Sequence, residues 1–204
     1  MNTVLRLGFL SSHGGSNMQA IIDACKAGIL NAVPSVVISN NSKSTALARA
    51  KREGVPRYHM SEVTHPENGE LDQAILETFK MHEVNLVILA GYMKLLEPQT
   101  TSAYRGRILN IHPALLPNFG GKGLYGMAVH KAVLAANEKN TGITIHLVDE
   151  RYDHGPIVAQ IQIPVLAADT IDSLSTRVLK HEHKFFVETL QKIENGELDL
   201  HKYY

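Results

Sequence analysis

Val4-Leu5-Arg6-Leu7-Gly8-Phe9-Leu10 is a short apolar run that leads directly into the turn Ser11-Ser12-His13-Gly14-Gly15-Ser16-Asn17. A segment of helical length, residues 17–27, follows the turn, and a second apolar run occupies residues 33–39. Short apolar runs rich in branched side chains are typical of strands that are buried on both faces of a sheet. The succession of strand, turn, helix and strand therefore predicts the first crossover unit of a parallel sheet.

The same alternation extends toward the middle of the chain. Residues 44–53 and 66–82 have helical length, and a third apolar run covers residues 84–90. Gly54 is suited to ending the first of these helices, and Pro66 is suited to the first turn of the second. Strands that alternate with helices predict an α/β fold with a doubly wound, mostly parallel sheet.

The C-terminal half has a different pattern. We expect a short strand at residues 108–111, a helix at 127–137 and a long helix at 170–194. Apolar runs at 143–148 and 157–165 are separated by eight residues, which is short enough for an antiparallel strand pair. The sheet is therefore expected to have an antiparallel portion in this half of the chain.

Length and composition indicate an ordinary globular protein. The chain has 204 residues and no linker, repeat or low-complexity tract, so we expect a single domain over residues 1–204. Lys plus Arg and Asp plus Glu both number 20, which indicates no general attraction to nucleic acid or to membranes. Cys25 is the only cysteine, so no disulfide can form within the chain. The N-terminus does not resemble a signal peptide and no apolar run could span a bilayer, which predicts a cytoplasmic protein.

The turn at residues 11–17 is the first segment that could carry chemistry. Its glycines permit a tight path, and free amides at the start of a helix bind anions through their N–H groups and the helix dipole. A monophosphate would suit such a place. An ordinary strand-to-helix turn, capped by Ser16 or Asn17, fits the local sequence equally well.

The second such segment is Asn110-Ile111-His112-Pro113-Ala114-Leu115-Leu116-Pro117. Strand alternation places Asn110 and His112 on one side and Ile111 on the other. They lie at the predicted carboxyl edge of the sheet, where open α/β folds bind their ligands. A carboxamide and an imidazole at this edge could stabilise an oxyanion and move protons. A polar strand end before a proline turn is the simpler alternative.

Four segments, taken in order along the chain, resemble the folate-dependent formyltransferase family. Residues 110–117 are similar to its Asn-x-His-Pro-Ser/Ala-Leu-Leu-Pro signature. Gly14-Gly15-Ser16-Asn17 resembles its phosphate loop, and Ala90-Gly91-Tyr92-Met93-Lys94-Leu95-Leu96 resembles its folate-lining segment. Residues 142–156 resemble the block that carries its catalytic aspartate. The resemblance is greatest to the members that formylate glycinamide ribonucleotide in purine biosynthesis.

The resemblance implies a reaction and a catalytic set. The formyl group of 10-formyltetrahydrofolate, a co-substrate, would pass to the amine of glycinamide ribonucleotide without a metal. His112 would be the catalytic histidine and Asn110 the oxyanion donor. Asp153, seven residues after His146, would be the acidic partner rather than Asp149. A carboxylate beside an imidazole favours its charged form, so we expect Asp153 to raise the pKa of His112.

The resemblance also implies binding residues and shows departures from the family pattern. The substrate-binding residues would be Gly15, Ser16, Asn17 and Glu182, and the folate-binding residues would be Met93, Lys94, Leu95, Leu96, Asn110, Asp149 and Tyr152. His13 stands where many relatives have glycine, and residues 120–126 differ from the usual loop. An arginine that some relatives have near Asn68 is missing.

Three other functions compete with this interpretation. Methionyl-tRNA formylation and formyl-folate hydrolysis are expected to need further domains, whereas this chain ends at Tyr204 and is neutral. A non-catalytic nucleotide-binding module would have no need of Asn110, His112 and Asp153 together. The expected partners are therefore small-molecule substrates, without nucleic acid or membrane, and association into a homodimer is left open.

Overall fold

The structure is a computed structural model that describes residues 4–203, so both ends of the predicted domain, residues 1–3 and 204, lie outside the described residues. The strands are β1 (Leu5–Leu10), β2 (Ala32–Ser39), β3 (Arg57–His59), β4 (Leu86–Leu89), β5 (Ile108–His112), β6 (Asn140–Leu147) and β7 (Ile157–Pro164). The helices are α1 (Ser16–Lys26), α2 (Thr45–Arg52), α3 (Glu70–Met81), α4 (Pro98–Ala103), α5 (Met127–Ala135) and α6 (Ile171–Glu194). A 3₁₀ turn follows at Leu200–Tyr203.

The described strands form one seven-stranded sheet in the order β3-β2-β1-β4-β5-β6-β7. Strands β1 to β5 are parallel to their neighbours, whereas β6 is antiparallel to both β5 and β7. The predicted α/β fold with a mostly parallel sheet is confirmed, and so is its antiparallel portion. The strand pair expected from residues 143–148 and 157–165 is the β6–β7 pair.

Alternate residues of the parallel strands pack on opposite faces of the sheet. On β4, Ile88 belongs to the core cluster that contains Phe186 of α6, and Val87 belongs to the cluster that contains Phe79 of α3. Both phenylalanine side chains are fully buried, and burial of such a ring contributes about 2–3 kcal/mol. Hydrophobic packing on both faces therefore covers the sheet, and polar chemistry is left to the strand ends.

Two short elements and one helix boundary differ from the prediction. Strand β3 and helix α4 are too short to give a clear periodic signal. The start of α4 is supported from a distant helix, because the Asp72 carboxylate accepts the backbone N–H groups of Gln99 and Thr100 at 2.7 and 3.1 Å. Helix α3 begins at Glu70 and not near Pro66, because Gly69 adopts a left-handed conformation with φ 76° just before it.

The sheet topology sets the position of the site. Leu10, Leu89 and Asn110 stand in register near the carboxyl ends of β1, β4 and β5. The antiparallel strand β6 then brings His146 opposite Asn110. Over residues 4–203, no helix is long and apolar enough to cross a membrane.

Candidate active site

A cavity of about 580 Å³ opens at the carboxyl ends of β4 and β5. Its walls come from the segment after β4, the loop between β5 and α5, the loop between β6 and β7, and one face of α6. The predicted site residues that line it are Asn17, Met93, Lys94, Leu95, Leu96, Asn110, His112, Tyr152, Asp153 and Glu182. Gly15, Ser16 and Asp149 are not among its lining residues.

The three predicted catalytic side chains meet at one wall of this cavity. His112 Nδ1 lies 3.5 Å from one carboxylate oxygen of Asp153. Asn110 Nδ2 donates to the other oxygen at 3.4 Å. All three are therefore close enough to act on one substrate group, although Asp153 is distant from the other two along the chain.

His146 joins this group and orients the Asn110 amide. Its Nδ1 lies 2.9 Å from the Leu147 carbonyl oxygen, which can only accept, so Nδ1 carries the proton. In the neutral ring Nε2 is then an acceptor, and Asn110 Nδ2 donates to it at 3.0 Å. Only the nitrogen of the Asn110 amide satisfies both His146 and Asp153, and this fixes the orientation of the amide.

The environment of His112 differs from the expectation. Burial lowers the pKa of His112, and the nearby Asp153 carboxylate and Phe119 carbonyl raise it without outweighing burial. Asp153 therefore raises the pKa of His112 as expected, but the net pKa of His112 is lowered. The physical reason is that His112 is only 3% exposed, and burial penalises the charged imidazolium.

Asp153 is stabilised as a carboxylate, and its backbone is in the left-handed region. Burial acts to raise its pKa, but His146 and His112, each with a ring nitrogen 3.5 Å from the carboxylate, and the Gly121 N–H together lower it. Asp153 Oδ2 accepts the Gly121 N–H at 2.9 Å. Its φ of 53° lies in the left-handed region, which aspartate tolerates better than most residues. This conformation is consistent with a position constrained by function.

The residues of the turn before α1 do not cap the helix with a side chain, and one of them contacts α6. Gly15 precedes α1 with φ 64°, and no side chain caps the helix there. The alternative in which Ser16 or Asn17 caps the helix is therefore wrong. Asn17 Nδ2 instead donates to Glu182 Oε2 at 2.6 Å. The start of α1 and the cavity face of α6 are thus joined by a buried polar contact.

Glu182 is a buried acid that faces the cavity. Burial raises the pKa of Glu182 from 4.5 to about 7, and the hydrogen bond from Asn17 offsets this only in part. At neutral pH the carboxyl group is therefore poised between its acid and carboxylate forms. Such a group can accept a hydrogen bond from an amine or exchange a proton with it.

Glu182 should make the stability of the protein depend on pH. Its pKa is higher in the folded state, so the folded state binds more protons and the free energy of unfolding falls as pH rises from about 4.5 to 7. Glu182→Gln removes this titration and should raise the free energy of unfolding at pH 8 by about 3 kcal/mol. Urea denaturation at pH 5 and pH 8 measures the effect. Glu188→Gln, on the exposed face of the same helix, is the control, and equal pH profiles for both variants would contradict the assignment.

The segment after β4 forms a mostly apolar wall. Ser12 ties it to the turn before α1, since the Ser12 N–H donates to the Gly91 carbonyl at 2.9 Å and Ser12 Oγ accepts the Met93 N–H at 2.8 Å. Leu95 is 43% exposed, which leaves an apolar surface open to a ring-shaped ligand. Lys94 Nζ pairs with Glu62 at 2.8 Å.

Asp149 acts on the loop between β6 and β7 and does not face the cavity. Its carboxylate accepts the Arg151 N–H at 2.8 Å and lies 2.7 Å from His154 Nδ1. This carboxylate therefore shapes the loop that carries Tyr152 and Asp153. The place of Asp149 among the folate-binding residues stays a prediction.

Three further residues of the site were not predicted as members. Ser12 and His146 are described above. A prediction that β5 pairs with β6 would have indicated His146, because this pairing places it opposite Asn110. The third is His130 of α5, which lines the cavity and is 3% exposed. Its Nδ1 is buried and has no hydrogen-bond partner among the described residues. Burial and the charge of His112 lower the pKa of His130. Helical sequence alone does not reveal which face of α5 meets a cavity.

The fold and the site together define a class of protein. Residues 5–190 match the family described as formyl transferase, so the chain belongs to the formyl transferase family. The family predicted from the four sequence segments is therefore confirmed. Among residues 4–203, no group of three or more His, Cys, Asp or Glu side chains is arranged to hold a metal ion.

Particular relatives carry a more specific name. The chain is 42% identical to the chloroplastic phosphoribosylglycinamide formyltransferase of Vigna unguiculata over 92% of its own length, and it spans 60% of that relative. It is 35% identical to the phosphoribosylglycinamide formyltransferase of Haemophilus influenzae, covering 96% of this chain and 90% of the relative. The crystal structure of glycinamide ribonucleotide transformylase 1 from Symbiobacterium toebii has a TM-score of 0.87, with 38% identity, and 95% and 89% of the two chains are covered.

Proposed function

We propose that this chain transfers the formyl group of 10-formyltetrahydrofolate to the amine of glycinamide ribonucleotide, a step of purine biosynthesis. The observation that carries the proposal is the meeting of Asn110, His112 and Asp153 in one cavity that also contains Glu182. The names of the similar proteins supply the substrate. Asn17, which lines this cavity, connects it to the start of α1, where a phosphate would bind.

Asn110 and His112 are proposed to stabilise the oxygen of the formyl group as negative charge gathers on it. Each donor in such a site contributes about 3 kcal/mol to catalysis. His112 Nε2 lies 2.8 Å from the Phe119 carbonyl oxygen, so its N–H already points at an oxygen acceptor. The formyl oxygen would take this position when both substrates are bound.

Asp153 is proposed to support the protonated form of His112 when the amine attacks. Nδ1 faces the Asp153 carboxylate and Nε2 faces the Phe119 carbonyl, so both ring nitrogens point at acceptors. Only the imidazolium can donate to both. Because burial keeps the resting His112 neutral, it can take up the proton that the attacking amine releases and pass it toward the folate nitrogen.

The side chains of the cavity wall are chemically suited to bind a reduced folate. Its exposed apolar side chains, Leu95 and Tyr152, can pack against a flat ring. When bound, the folate supplies the activated formyl group. The residues proposed to hold it are Met93, Lys94, Leu95, Leu96, Asn110 and Tyr152.

The direct test is formyl transfer by the purified protein. Glycinamide ribonucleotide, methionyl-tRNA and water should be compared as acceptors for 10-formyltetrahydrofolate, with release of tetrahydrofolate followed by absorbance. We expect turnover with glycinamide ribonucleotide at least a hundredfold above the other two. Faster release with water would favour hydrolysis and overturn the proposal. The predicted cytoplasmic location and the homodimer left open above stay predictions.

Ser16→Asp should weaken recognition of the phosphate. Ser16 is the first residue of α1, where an added carboxylate suits the helix dipole and should not impair folding. The same charge repels a phosphate, so we expect the KM for glycinamide ribonucleotide to rise about tenfold or more. Steady-state kinetics of Ser16→Asp and of the neutral Ser16→Asn measure the difference. A KM that is the same in both variants would argue against a phosphate at this turn.

A further inference from the structure

Arg49 of α2 contacts the turn before α1 but does not line the cavity. Its Nε–H donates to the carbonyl oxygen of Gly14 at 3.0 Å. Ala46, one turn earlier on the same helix, donates its backbone N–H to the carbonyl oxygen of His13 at 3.0 Å. Helix α2 therefore holds two consecutive carbonyl groups of the turn.

These two contacts determine where the N–H groups of the turn point. In a trans peptide the C=O and N–H bonds point in opposite directions. With the carbonyls of His13 and Gly14 directed at α2, the N–H groups of Gly14 and Gly15 are directed away from it. Neither N–H has an acceptor within residues 4–203. Successive free N–H groups on one side of a turn form an anion-binding concavity.

We propose that Arg49 is a positioning residue for the phosphate of the substrate, acting through the Gly14 carbonyl. Glycine permits the peptide between Gly14 and Gly15 to rotate, which would turn a carbonyl oxygen toward the phosphate and repel it. The guanidinium opposes this rotation by holding the oxygen on the α2 side. The proposal rests on the proposed function, since that function places a phosphate at this turn.

The residues packed around Arg49 support an indirect role. Its Nη1 lies 3.5 Å from Gln19 Oε1, which also accepts from Arg52 at 3.0 Å. Its guanidinium is therefore engaged by the turn and by α1. The packing of α2 on the turn is close, because a Cβ added at Gly15 would lie 2.8 Å from the Ala46 Cβ.

Binding of ribose 5-phosphate, measured by isothermal titration calorimetry, tests this role without any turnover. We expect Arg49→Met to bind this probe at least tenfold more weakly than the unaltered protein. Lys51→Met is the matched control, because Lys51 is an exposed cation of the same helix and has no hydrogen bond to the turn. The control should bind within twofold of the unaltered protein. Arg49→Lys should recover most of the affinity, because its ammonium group can still donate to the Gly14 carbonyl.

Steady-state kinetics separate positioning from a general structural effect. Arg49→Met should raise the KM for glycinamide ribonucleotide at least tenfold and leave kcat and the KM for the folate within twofold. A merely structural residue would change all three values together. If Arg49→Met fails to fold, Arg49→Gln, which is neutral and shorter, replaces it with the same expected direction.

The outcomes distinguish this proposal from the proposed function. Equal weakening of ribose 5-phosphate binding in the Arg49 and Lys51 variants would mean that only the overall positive charge matters. No weakening in either variant would mean that the contact of Arg49 with the Gly14 carbonyl does not affect binding. Both results overturn the positioning role. An active enzyme that does not bind ribose 5-phosphate would overturn it as well, while the proposed function stands. Tight, Arg49-dependent binding in a protein without formyl transfer would instead support the anion turn and overturn the function.

Discussion

Replacing His112 by alanine should lower kcat for formyl transfer by about three to four orders of magnitude, within the range for a residue that both donates to an oxyanion and relays a proton. The side chain provides the N–H that faces the Phe119 carbonyl at 2.8 Å and the nitrogen that faces Asp153 at 3.5 Å. Alanine removes both. Because the His112 side chain lines a cavity of about 580 Å³, its removal should lower turnover more than it lowers the stability of the fold.

Single-turnover kinetics with both substrates saturating measure this loss directly. The KM for glycinamide ribonucleotide should change less than about fivefold, since His112 acts mainly in the transition state. His65→Ala is the control, because His65 is partly exposed and does not line the cavity. A purified, folded His112→Ala enzyme with activity near that of the unaltered protein would remove His112 from the mechanism.

Asp153→Asn should lower kcat by about a thousandfold. Asparagine keeps the size of the side chain and tolerates the left-handed backbone at this position, where φ is 53°. It removes the negative charge that faces His112 Nδ1 and would stabilise the imidazolium. Asp172→Asn is the control, because Asp172 is an exposed carboxylate in the first turn of α6 and does not line the cavity. The control should keep kcat within about threefold, given its exposed position.

A double variant shows whether the two residues act as one unit. If Asp153 acts through His112, then His112→Ala combined with Asp153→Asn should be no slower than His112→Ala alone. Independent roles would instead multiply the two losses. Near wild-type turnover in Asp153→Asn, or strictly multiplicative losses, would contradict the coupling proposed from the geometry.

Much of the fold follows from local pattern. Apolar runs of strand length and the segments between them predict β1, β2, β4 and the helices α1 and α2 within one or two residues. The period of the side chains along the chain carries this information. This period does not predict strand β3, helix α4 or the start of α3. Strand β3 and helix α4 are too short to show it, and the start of α4 is also supported by a distant residue, Asp72.

The sequence likewise predicts some residues of the candidate site and not others. Strand alternation at the sheet edge and the family resemblance point to Asn110 and His112, and the count from His146 favours Asp153 over Asp149. The structure places Asp153 beside His112 and leaves Asp149 bonded within its own loop. No pattern in the sequence indicates His130 as a cavity residue, since the face that α5 presents depends on how it packs.

The sequence by itself determined the order of most strands and helices, the sheet edge that carries the chemistry and the family to which the chain belongs. Period, composition and motif order can all be read from the chain without its tertiary structure. Only the tertiary structure decided the lowered pKa of His112, the orientation of the Asn110 amide and the hold of Arg49 on the Gly14 carbonyl. These features depend on burial and on contacts between segments far apart in the chain. Both arise only when the elements pack together.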